Sequence, residues 1–180
     1  MFLGERIYLR KVTEEDALTY HRWRNDPEVM ENTSLTLDLF TYKETTEFIQ
    51  SIAESATSKS YFIMDKENDE PIGITSLINL DYKNRNSECI IDIGNKNYWG
   101  DGYGKEAMEL LVQYSFRELN LHKLYLKVFA FNTRAIRLYE KIGFEREGEL
   151  KDHLFRNGEW HNIVEMALFQ DKYLQMESKV

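Results

Sequence analysis

The chain has 180 residues, 42% of them hydrophobic and 30% charged, which supports one globular domain with a sizeable core. Its formal net charge of −8 argues against a nucleic-acid backbone as the main partner and suits a cationic substrate. A single cysteine, Cys89, excludes an internal disulfide and a Cys-rich zinc site, and the four histidines, His21, His122, His153 and His161, lack metal-ligand spacing, so no metal is expected.

Ile7-Tyr8-Leu9-Arg10 reads as a first strand, with Ile7 and Leu9 on one face. Thr13 caps a helix that carries acidic residues in its first turn and stops near Asn25-Asp26-Pro27, because the residue before proline resists the α region. A short turn is expected over 28–32 and a second helix over Thr41 to Ser55, with Phe48, Ile49, Ile52 and Ala56 on its apolar side. Tyr61 to Met64, Pro71 to Leu80 and Ser87 to Gly94 read as three strands, the first two joined by a polar hairpin turn at 66–70. Gly102 to Leu119 is helical, and Leu124 to Val128 is a strand. Asn132-Thr133 opens a helix that ends at Gly143, with Ala135, Leu138, Tyr139 and Ile142 on one face. Glu145 to Leu150 and Ile163 to Phe169 close the sheet around a turn at Arg156-Asn157-Gly158-Glu159, and 171–180 reads as a frayed tail. The order implies an α/β fold whose mixed sheet is largely antiparallel early, with βα crossovers late. No apolar run approaches a membrane span and the N-terminus has no signal core, so a cytoplasmic protein without membrane partners is expected.

Chemistry concentrates in Tyr98-Trp99-Gly100-Asp101-Gly102-Tyr103-Gly104-Lys105-Glu106-Ala107. Three glycines at every second position follow the β-branched run Ile90-Ile91-Asp92-Ile93 and precede a helix. Glycine admits positive φ, and a helix start presents unpaired N–H groups, so the stretch suits a phosphate or pyrophosphate. A Walker loop would need Ser or Thr after Lys105, where Glu106 stands. A dinucleotide fingerprint would need its third glycine one residue later and an early βαβ unit.

Two separate motifs make the chain resemble the GNAT N-acetyltransferases. The family's Gln/Arg-x-x-Gly-x-Gly/Ala loop is matched by Trp99-Gly100-Asp101-Gly102-Tyr103-Gly104, with Trp99 in place of the usual first residue. The second motif, Asn-x-x-Ala-x-x-x-Tyr-x-x-x-Gly-Phe, is matched by Asn132, Ala135, Tyr139, Gly143 and Phe144. Within the family, Trp23-Arg24-Asn25-Asp26-Pro27, Tyr98-Trp99-Gly100, Leu119 to Leu124 and Glu147-Gly148-Glu149-Leu150 look like the branch of ribosomal-protein N-terminal and spermidine acetyltransferases. The resemblance implies one domain over 1–170, with a central, mostly antiparallel twisted sheet and helices on both faces. It implies acetyl-CoA as co-substrate and direct attack by an amine in a ternary complex. The acceptor would be a polyamine, a protein N-terminus or another small amine, and a homo-oligomer is left open.

The family pattern then assigns roles. The backbone of Asp92, Ile93 and Gly94 is expected along the pantetheine arm, with Asn132 and Ala135 nearby. Trp99, Gly100, Asp101, Gly102, Tyr103, Gly104 and Lys105 are expected around the pyrophosphate, with Lys141, Arg134 and Arg137 as further cations. A carboxylate at Asp101 would repel that group, so its side chain is expected to face solvent. Tyr139 is expected beside the thioester sulfur. A phenol of pKa about 10 is a weak acid toward a thiolate of about 8.5, so hydrogen bonding to the sulfur is its main expected role. An alkylammonium of pKa about 10.4 needs a base. Glu88, at the spacing from Trp99 that places a catalytic Glu in some members, is the first candidate, and Asp92 is the alternative. Trp23, Asp26, Glu28 and Glu31 offer an aromatic wall and carboxylates for a cationic acceptor. The competing readings are a catalytically idle acyl-CoA-binding module and, more remotely, a Rossmann-type nucleotide binder.

Overall fold

A computed structural model describes residues 2–178. Seven strands form one sheet in the order β1-β2-β3-β4-β5-β7-β6. They are β1 (Ile7–Lys11), β2 (Lys59–Asp65), β3 (Pro71–Asp81), β4 (Asn86–Asp92), β5 (Lys123–Phe129), β6 (Glu145–Arg156) and β7 (Glu159–Phe169). Every neighbouring pair is antiparallel except β4 and β5. Six helices accompany them: α1 (Ala17–Arg24), α2 (Pro27–Met30), α3 (Tyr42–Glu54), α4 (Tyr103–Arg117), α5 (Thr133–Ile142) and α6 (Gln170–Glu177). None is long and apolar enough to cross a membrane.

Helices cover both faces. On one, α4 and α5 set Met108, Leu111, Phe116, Ile136 and Ile142 against Ile7, Ile63, Leu77, Leu124 and Met166. The buried positions Ala107, Met108, Leu111, Val112, Ser115 and Phe116 make a single stripe along α4, as the 3.6-residue period requires. On the other face, α1 and α3 cover Phe62, Met64 and Ile74 through Ala17 and Ile49. Thr41 caps α3 with a reciprocal box, its hydroxyl accepting from Glu44 N while the Glu44 carboxylate accepts from Thr41 N.

Three sequence expectations change. The segment read as a tail forms α6 over Gln170–Glu177, held by Gln170 Nε2 donating to Phe116 O at 2.8 Å and by Tyr173 packing on Phe116. Residues 179–180 of that expected tail lie outside the described residues. The last two strands run to their turn rather than stopping at Leu150 and Ile163. Asn157 and Gly158 both hold positive φ (53° and 83°), the two-residue turn that pairs its flanking strands directly. The polar stretch Lys151-Asp152-His153 hid that continuity. Finally, β4 ends at Asp92, short of Gly94.

Candidate active site

The parallel pair β4·β5 is where the sheet opens. Pairing covers only Asn86↔Lys123, Ser87↔Leu124 and Glu88↔Tyr125, although β4 continues to Asp92 and β5 to Phe129. Beyond Glu88 the two strands diverge. At the fork's apex the buried Cys89 thiol donates to Tyr125 O at 3.5 Å. Cys89 is therefore a small core residue, and burial pushes its thiol pKa up, away from reactivity. A cavity of about 830 Å³ occupies the fork, lined by Ile90 to Asp92 of β4 with Ile93 beyond it, Lys127 to Phe129 of β5, and the start of α5.

At one end of this cavity lies the glycine turn. Gly100 and Gly102 hold φ of 91° and 87°, which side-chain-bearing residues rarely adopt. Gly102 is the N-cap of α4, so the N–H groups of Tyr103, Gly104 and Lys105 have no intrahelical acceptor and the positive helix end faces the turn. Gly100, Gly102, Gly104 and Lys105 all line the cavity. Arg6 braces the turn, donating Nη1 to Asp101 O at 2.8 Å and lying 4.2 Å over the Tyr103 ring. Glu106 points away, accepting from Arg6 N at 2.8 Å and from Arg6 Nε at 3.1 Å. The Asp101 side chain is exposed.

Between turn and fork, the Trp99 indole donates to Ile93 O at 2.7 Å, and Arg134 lies 5.8 Å over its ring. Gly94 has no room for a side chain, since an added Cβ would sit 2.1 Å from the Trp23 ring. Asn132 caps α5, its Oδ1 accepting from Ala135 N at 3.1 Å, while its Nδ2 donates to Asn32 O at 3.4 Å. The pair Asn132/Ala135 thus fixes the start of the helix that delivers Tyr139. Tyr139 is 8% exposed and lines the cavity, and burial raises its pKa, with lesser contributions from Cys89 and Asp92. It stays a protonated donor through the neutral range.

Asp92 is the least satisfied group at the site. Its Oδ1 is buried with no hydrogen-bond partner, a state it shares among the described residues only with Arg24 Nη1. Burial pushes its carboxyl up to about 6, and the neighbouring Thr33 side chain opposes the shift. Glu88 shares its strand face, lines the cavity and is half-buried, with Oε2 accepting from Asn79 Nδ2 at 3.3 Å. The structure thus gathers Glu88, Asp92, Ile93, Trp99, Gly100, Gly102, Gly104, Lys105, Asn132, Ala135, Tyr139 and Lys141 around one cavity, while Gly94, Asp101 and Tyr103 are not among its lining residues.

Trp23, Asp26 and Glu31, expected at the acceptor, are not among the residues that line this cavity. Trp23 stacks on Phe62 at 5.4 Å and backs Gly94 from outside the cavity. Asp26 caps α2, accepting from Glu28 N at 3.0 Å, and it and Glu28 each pair with Lys96 at 2.8 Å. Its carboxyl pKa is lowered, chiefly by Lys96. Glu31 is exposed and contributes its backbone carbonyl to Arg156. The cavity is also lined by Asn32, Thr33, Leu35, Lys127, Phe131 and His153. Lys127 could have been found, as the one charge inside the apolar run of β5. Asn32 and Thr33 carry no local signal, because only tertiary contacts bring their loop to the fork.

Comparison with known proteins agrees with this geometry. The family model described as Acetyltransferase (GNAT) domain matches residues 6–145. The spermidine N(1)-acetyltransferase of Escherichia coli K12 is 31% identical over 174 residues, covering 93% of this chain and 88% of that protein. An uncharacterized N-acetyltransferase of Bacillus licheniformis is 31% identical over 171 residues, covering 94% and 96%. The crystal structure of spermidine N-acetyltransferase from Vibrio cholerae in complex with CoA and spermine superposes with a TM-score of 0.87 at 29% identity, covering 94% of this chain and 98% of that one.

Proposed function

The chain belongs to the GNAT acetyltransferase family, and from that membership we propose that it transfers the acetyl group of acetyl-CoA to a primary amine, with polyamines as the favoured acceptors. The observation that carries this reading is the convergence on one cavity of an unpaired strand fork, a helix N-terminus behind a glycine turn, and a largely buried tyrosine. These features fit acetyl-CoA part by part. The backbone beyond Glu88 offers hydrogen bonds to an amide-bearing arm, the N–H groups of 103–105 suit a pyrophosphate, and Lys105, Arg134 and Lys141 add positive charge. The polyamine preference draws on the spermidine acetyltransferases to which the chain is similar, and on its acidic balance.

Acetyl-CoA supplies an activated thioester whose sulfur leaves as a thiolate. The acceptor's neutral nitrogen attacks the carbonyl carbon, forming the C–N bond as the C–S bond breaks, and the nitrogen's surplus proton passes to the departing thiolate, giving the amide and the CoA thiol. Tyr139 stabilises the sulfur's developing charge by donating a hydrogen bond. Glu88 takes the ammonium proton in the first reading. A second reading gives that proton to Asp92, favoured by its unpartnered oxygen and its pKa of about 6.

Thiol release from acetyl-CoA, measured against spermidine, spermine, aminoglycosides and short peptides, tests the reaction. Saturable release with the polyamines is expected. Tight CoA binding without turnover on any amine would replace the reading with an idle acyl-CoA-binding module. The pH–rate profiles of Glu88→Gln and Asp92→Asn then separate the bases, because only loss of the true base removes the acidic limb.

A further inference from the structure

We infer that Arg156 is a positioning residue for the acceptor side of the site, clamping the loop after α2 so that Asn32 and Thr33 stand against the fork. The inference rests on the acetyl-transfer reading for what the loop does, and on geometry alone for how it is held.

Arg156 ends β6 and is only 6% exposed. Its Nη1 donates to Glu31 O at 2.5 Å and its Nη2 to Ser34 O at 2.7 Å. The guanidinium lies 5.7 Å from the Phe129 ring, over a small apolar cluster of Phe129, Leu154 and Ile163. Among the described residues no carboxylate comes within ion-pair distance of it. A buried cation is ordinarily matched by an anion, because desolvation costs several kcal/mol or more. Here the compensation comes from two backbone carbonyls three residues apart, which the planar fork of an arginine can reach together.

The loop needs that support. Leu35, Leu37 and Leu39 are 63%, 43% and 77% exposed, so its apolar side chains do not anchor it. Its other side-chain ties are Asn132 Nδ2 to Asn32 O at 3.4 Å, the Thr33 side chain to Val29 O at 3.4 Å and to Asp92, and, at its far end, the exchange between Asn25 and Phe40 with Arg24 over the Phe40 ring. Asn32 and Thr33 lie between the two clamped carbonyls and line the cavity beside Asp92. One guanidinium therefore connects the tip of the β6–β7 hairpin to the wall facing the acceptor.

The test uses Arg156→Met, which keeps length without donors, and Arg156→Lys, which keeps the charge but cannot reach both carbonyls in the same fork. Amide exchange of the unliganded chain is followed at 32–35 and, as a control, in β5 and β7. Steady-state KM is measured separately for amine and acetyl-CoA. For Arg156→Met the expected result is exchange at 32–35 faster by about tenfold or more, with core exchange unchanged. The amine KM should rise about tenfold, with the acetyl-CoA KM within about twofold. Arg156→Lys should recover part of both effects. Unchanged loop exchange in both variants overturns the clamp. So does a parallel rise in both KM values with faster core exchange, which marks a general loss of stability. If Arg156→Met does not fold, Arg156→Lys alone carries the same comparison. A wild-type chain that turns over no amine would defeat the acetyl-transfer reading, while the exchange data would still decide the clamp.

Discussion

Tyr139 and Asp92 are both pushed toward their neutral forms by burial, and the chemistry of each makes that matter differently. For Tyr139 the neutral form is the one the proposed role needs, since a phenol donates to sulfur and a phenolate cannot. Tyr139→Phe keeps the ring packed on Phe144 and removes only the donor. We expect kcat to fall by on the order of 10²-fold with acetyl-CoA KM nearly unchanged, and full retained activity would remove the sulfur-stabilising role. For Asp92 the neutral form would be useless as a base but favours the fold. Its carboxyl is raised from 3.8 to about 6 in the native state, so between those values the native chain holds more of the proton than the unfolded chain does. This group's contribution to stability is therefore fully present below about pH 4 and is lost as pH rises through 6. Asp92→Asn cannot ionise, and should be more stable than wild type at pH 8 by up to about 3 kcal/mol, with little difference at pH 4. Urea midpoints at the two pH values check this, and a gap of equal size at both would defeat it.

The decisive element is the turn from β4 into α4. Gly102 sits at φ 87° with an added Cβ 3.4 Å from Arg6 Nη2, so Gly102→Ala is strained mainly by its backbone. The expected cost is about 1–2 kcal/mol of stability, together with a weaker affinity for CoA that calorimetry would register, because the N–H groups of 103–105 move with the turn. Unchanged affinity would mean that the turn merely connects its neighbours. This element was legible in sequence, since glycine spacing, β-branched run and helix stripe are all local. The same holds for α5, where Asn132, Ala135 and Gly143 each meet a backbone requirement of the helix they bound. The cavity wall formed by the loop after α2 was not legible. Trp23 and Asp26 had the right chemistry, but the fold uses one to pack Phe62 and back Gly94, and the other to cap α2 and hold Lys96. Asn32 and Thr33, which do reach the cavity, are placed by Arg156 across more than 120 residues. Nor did the tail announce α6, whose contacts with Phe116 and Gly143 exist only once α4 and α5 are folded.

Across the whole molecule, the sheet is two units joined by three residue pairs: β1 to β4 on one side, and β5, β7 and β6 on the other. An arm bound along the fork would bridge them. CoA at about 100 times its dissociation constant should stabilise the fold by about 2.7 kcal/mol. Amides from Ile90 to Ile93 should then exchange more slowly than those of β1, and uniform protection or none would argue against binding along the fork. The fork also leaves a bare strand margin inside the molecule, and a bare margin is ordinarily an invitation for chains to stick together. Here the start of α5 and the clamped loop line the same opening, so the margin lies within a cavity and not along the outer edges of the sheet, which β1 and β6 form. An extended arm laid along it would complete the pairing that the two strands leave open.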